Sequence, residues 1–114
     1  MKTFILSIFC SLFINICFAQ PIPPDSLYLG QTLPGDSAIV FAPGKISLPG
    51  RNESCITFSP DGKSIFYSIE FWPQPGINYI LHYEYTNNKW TGPDTATFSK
   101  NRMTNEPFFA FNGS

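Results

Sequence analysis

Residues 58–68 read FSPDGKSIFYS, a proline-set turn that runs straight into a strand of period two. Pro60 sets φ near about −65° for the first turn position, and Asp61 suits the second. Gly62 enters the left-handed region without a Cβ penalty. This order predicts a three-residue hairpin loop, a type I turn followed by a glycine bulge. After it, Ile65, Tyr67, Ile69 and Phe71 share one face, and Ser64, Ser68 and Glu70 the other. Phe66 puts an apolar ring on that second face, so both sides of the strand are expected to be covered.

The rest of the chain repeats this grammar. CITFS, residues 55–59, is a short strand leading into the turn. Cys55 beside Ile56 reads as a small buried hydrophobe. Over residues 79–86, Tyr79, Leu81, Tyr83 and Tyr85 alternate with Ile80, His82 and Glu84. Asn87-Asn88 then offers the two positive φ values of a type I′ turn, and Lys89-Trp90 starts the return strand. Gly92-Pro93-Asp94 reads as a further turn and TATFS, residues 95–99, as another short strand. Residues 20–50 are Pro- and Gly-rich: an extended leader over 20–25, then one short strand at 39–42 before Pro43-Gly44. Short strands with turn signals about every ten residues and no helical period make the chain all-β.

The first nineteen residues stand apart. Lys2 is followed by the apolar run FILSIFCSLFINICF, and Cys17 and Ala19 supply small residues at a cleavage point. This is the anatomy of a secretory signal peptide cut after Ala19. The product is expected to be secreted or periplasmic, without a membrane span. Cleavage leaves 95 of the 114 residues and one of the three cysteines, Cys55, so no internal disulfide staples the domain. Charged residues make up 13% of the chain against an average of about 25%, and aromatics 17%, a profile opposed to disorder. The net charge of −1 and the lack of a basic stripe exclude a nucleic-acid footprint.

Phe58, Asp61 and Gly62 recur as Phe109, Asn112 and Gly113, an offset of 51 residues (109 − 58) with about four strands between. A four-stranded repeat of about 40–50 residues is the period of a β-propeller blade. TFSPDGKSIFYS resembles the F-S-P-D-G-K-x-hydrophobic-Y motif of WD40-like, TolB-type bacterial propeller repeats. YILHYEYTNNKWTGP is similar to their strand–turn–Lys-Trp–strand element, and NEPFFAFNGS to the entry of a following blade. Ala110, Phe111 and Asn112 stand where Ser, Pro and Asp are usual, which leaves the second turn less predetermined. The resemblance implies antiparallel four-stranded blades of a propeller, incomplete in this chain. It divides the sequence into a signal peptide (1–19), a lead-in (20–50), a first blade (51–104) and the start of a second (105–114). Closed propellers use about four to eight blades. A chain this short is expected to expose strand edges and apolar faces and to self-associate.

Motifs of catalysis are sought without result. His82 has no second His or Cys pair for zinc. Asp61 fits neither the alternating oxygens of a calcium loop nor, with Gly62 one position early, a sialidase-type Asp box. Glu53, Glu70, Glu84 and Glu106 are scattered without a motif. Phe71, Tyr79, Tyr83, Tyr85 and Trp90 read as core, and Trp72, between turns, is the one aromatic suited to an exposed platform. No catalytic, cofactor-binding or metal residue is assigned, and no cofactor. The resemblance implies a non-catalytic scaffold presenting loops to a protein or glycan partner. The alternative is the N-terminal propeller of a glycosidase or prolyl oligopeptidase-type peptidase with its catalytic residues beyond Ser114.

Overall fold

The computed structural model describes residues 20–70, 78–100 and 103–110. The leader, Phe71 and Trp72 with their loop, and the Asn112-Gly113 turn lie outside these residues. Four strands, β1 (Asn52–Phe58), β2 (Ser64–Glu70), β3 (Asn78–Thr86) and β4 (Lys89–Thr95), form one open antiparallel sheet in the order β1-β2-β3-β4. The all-β reading holds at this level. Each strand pairs with its sequence neighbour, the arrangement that short turns impose.

The β1–β2 turn is type I, with Gly62 N donating to Ser59 O at 2.8 Å and Gly62 at φ 72°. Asp61 accepts from Ser59 Oγ at 2.6 Å and from Lys63 N at 3.1 Å, an Asx-type brace across the loop. The loop is one residue longer than the expected three, because the ladder resumes only where Ser59 N donates to Ser64 O. Lys63 stays outside this pairing: its carbonyl accepts from Tyr85 N on β3 at 2.8 Å. Across the sheet, Asn87 and Asn88 take φ 52° and 60°, the type I′ turn expected between β3 and β4.

Two expectations fail in β4. The chain does not turn at Gly92-Pro93-Asp94; the strand runs through it. Glu84 pairs with Thr91 and His82 with Asp94, so Tyr83 faces both Gly92 and Pro93 across a bulge. Proline lacks the N–H a ladder needs, and an edge strand with a bulge is where a sheet tolerates it. Nor do residues 95–99 extend as a strand. Ala96 N donates to Ile80 O at 2.9 Å, and Ile80 N is then taken by Ser99 Oγ at 2.9 Å. The chain therefore curls under β3 as a 3-10 turn, Thr97–Ser99.

The lead-in differs from expectation as well. Pro23 keeps extended geometry (φ −55°, ψ 141°), but a kinked 3-10 segment begins at Pro24 and runs to Gly30. The strand expected at 39–42 is absent. Ala42 N is bonded by Gln31 Oε1, and Ala42 O accepts from Lys45 N and Ile46 N in a tight turn, so neither group is left for a ladder. Leu29, Ala42 and Ile46 of the lead-in pack on Ile65, Tyr67, Ile69 and Tyr83 to form the core. Each fully buried side chain of this size contributes roughly 1.5–3 kcal/mol. Polar ties hold the layer in place: Trp90 Nε1 donates to Ser26 O at 2.6 Å and Arg51 Nη2 to Ile46 O at 2.7 Å, while Lys45 Nζ, donating to Leu29 O at 2.8 Å, braces the lead-in internally. On the opposite face Phe66 meets Phe98 at 5.8 Å and Phe109 at 5.5 Å between ring centroids. Both faces of β2 are thus covered, as the pattern around Phe66 requires.

Candidate functional site

The chemically capable side chains are dispersed among the described residues. His82 stacks on Phe66 (5.3 Å, 16° between planes), and its Nδ1 lies 3.1 Å from Asp94 O. Asp61 is exposed at the hairpin, and the hydrogen bond from the Ser59 side chain, then the one from the Lys63 backbone N–H, hold its carboxyl below the usual aspartate range. Glu53 pairs with Arg51 at 2.6 Å, Glu84 is exposed on β3 and Glu106 lies in the segment beyond β4. No group of three or more metal-ligating side chains occurs among the described residues. Tyr83 and Tyr85 are buried, and Tyr85 packs edge-on against Trp90 at 5.3 Å, so these aromatics line the interior.

Cys55 overturns its expectation: it is exposed, not buried. Ser54 pairs with Ser68 and Thr57 with Phe66, so Cys55 and Ile56 together oppose Tyr67 in a β-bulge. Cys55 takes φ 51°, and this kink turns its side chain out of the core. The bulge is invisible in sequence, because it is defined by what the partner strand lacks.

A left-handed residue recurs at Glu106, φ 55°, at the same offset of 51 (106 − 55) that separates Phe58 from Phe109. Cys55 and Glu106 are two of the seven non-glycine residues at positive φ among the described residues. Each of the two is followed three positions later by a phenylalanine that seats on another layer. Phe58 packs against Tyr28 (5.5 Å) and Phe41 (5.9 Å) of the lead-in. Phe109 packs against Phe66 of the sheet, and Glu106 N donates to Ser68 Oγ at 2.9 Å. Residues 105–110 thus lie on the sheet much as β1 lies on the lead-in.

Two apolar hollows flank β1. Phe66, Ile80, Phe98, Pro107, Phe108 and Phe109 line a groove of about 450 Å³. On the lead-in side, Leu33, Pro34, Phe41, Ile56 and Phe58 line a smaller one of about 230 Å³. Apolar side chains make up most of both linings, and Thr57, Thr104, Asn105 and Glu106 add polar groups to the larger. No family model, curated protein or solved structure matches the chain. No helix among the described residues is long and apolar enough to cross a membrane.

Proposed function

We propose that the chain carries one blade of a WD40-like, TolB-type propeller and the start of the next. It belongs to an exported, non-catalytic scaffold, secreted or periplasmic, that presents loops to a protein or glycan partner. The matched left-handed residues Cys55 and Glu106, each three positions before a seated phenylalanine, carry this reading. They add a backbone equivalence to the likeness between FSPDGK and FAFNGS. The four-stranded meander supports it too, since that is the unit a blade repeats. Export is supported by the leader anatomy of residues 1–19.

The secreted product is tested on glycan and peptide arrays and, in parallel, on chromogenic glycosidase and prolyl-peptidase substrates. Saturable binding without product release is expected. Turnover that co-purifies with the chain would replace the scaffold reading with a hydrolase.

A further inference from the structure

We propose that Gln20 becomes the N-terminus of the exported chain and closes on itself as a pyroglutamyl lactam. The inference rests on the export reading, in which the leader is cut between Ala19 and Gln20. That cut turns the Gln20 backbone nitrogen into a free α-amine beside the side-chain amide of the same residue. The amine attacks Cδ, a C–N bond forms in a five-membered ring, and the bond from Cδ to Nε2 breaks. Nε2 leaves as ammonia with a proton given up by the amine, so no oxidant and no second reactant is needed. Closure within one residue gains the advantage of an intramolecular attack. α-Amines lose their proton at about pH 8, so part of the population is nucleophilic near neutrality.

The fold leaves this chemistry open. Gln20 and Pro21 are exposed, and burial begins at Ile22, which is 8% exposed. Pro23 follows in extended geometry, and Ser26 N donates to Pro23 O at 2.8 Å as the chain enters its 3-10 segment. The fold thus grips the chain two residues past Gln20 and leaves Gln20 itself in solvent. Pro21 has no N–H, so its nitrogen cannot compete with the α-amine for the Gln20 amide. An exposed terminus just ahead of a buried residue is where exopeptidases begin to remove the lead-in, and a lactam offers them no amine. The ring also removes the positive charge that cleavage creates.

The product of the full coding sequence, expressed with its own leader, is collected cold, acidified and digested with trypsin, and its N-terminal peptide is weighed. The first Lys or Arg after Gln20 is Lys45, so that peptide covers residues 20–45. It is expected to be lighter than the open sequence by one ammonia and to resist stepwise sequencing from its N-terminus. Gln20→Asn keeps an amide but needs a strained four-membered ring, so its peptide retains the ammonia and is readable. A synthetic 20–45 peptide with a free amine passes through the same work-up. Wild-type lactam no more abundant than in that control overturns the proposal, as does a wild-type peptide readable from Gln20, and both leave the export reading standing. A chain that starts at any residue other than Gln20 overturns it too, and a start at Met1 overturns the export reading with it.

Discussion

Tyr67 is fully buried, and its hydroxyl has no hydrogen-bond partner among the described residues. Burial pushes its pKa up to about 12, against the opposing pull of the Arg51 guanidinium, whose central carbon is 5.9 Å from the ring centroid. Tyr83, stacked on it at 6.4 Å, is shifted the same way by burial. A phenol whose folded pKa is raised lends stability in full below its unfolded pKa of about 10 and loses it as pH rises toward 12. Urea denaturation should therefore show stability falling across that window. In Tyr67→Phe the fall is shallower, with the part due to Tyr83 remaining. Stability of this variant at neutral pH is unchanged or higher by about 1 kcal/mol, because a buried unpaired hydroxyl is gone. Two glycines separate strain from crowding. At Gly62, φ 72° with nothing within 4 Å of an added Cβ, valine meets backbone strain alone, about 1–2 kcal/mol. At Gly92, φ 124°, a Cβ would meet His82 O at 2.7 Å as well, and alanine should cost more, about 2–4 kcal/mol by the same denaturation measurement.

β2 and β3 were legible in sequence because period two survives where every residue is paired. Ile65, Tyr67 and Ile69 are all buried, as their alternation demands. β4 was not, because Gly92-Pro93 is a turn signal in isolation and becomes a bulge only opposite Tyr83. The same holds for Cys55, whose apolar neighbour suggested burial while the pairing of Tyr67 with two residues expelled it. The lead-in has no period to read. Its shape comes from side chain to backbone bonds such as Gln31 to Ala42, which depend on residues eleven positions apart. Gln31→Ala should open the neck of loop 32–40. Hydrogen exchange is then expected to accelerate at Ala42 and nearby amides, while amides of β2 and β3 keep their protection. Uniform acceleration across the sheet would show that the loop supports the whole fold.

At the scale of the molecule, one sheet lies between two layers of irregular chain: residues 20–50 on the Tyr67 face, residues 96–100 and 103–110 on the Phe66 face. The edge strands β1 and β4 both carry bulges, opposite Tyr67 and Tyr83, and β4 adds Pro93. Bulges and prolines discourage pairing edge to edge. Pairing through β1 or β4 is therefore disfavoured, and amide exchange along both strands should not change with concentration. The exposure of Leu33, Val40 and Phe108 was hidden from the sequence because it depends on how the irregular segments lie. The likeness of FSPDGK to FAFNGS is legible in sequence, and Cys55 and Glu106 take left-handed φ at the same offset.

The coding DNA read through the Ser114 codon tests the repeat directly. The account predicts that the frame continues into β-hairpins of the F-S-P-D-G kind, spaced about 40–50 residues apart. An in-frame stop at that point, with a folded monomeric product, would contradict it.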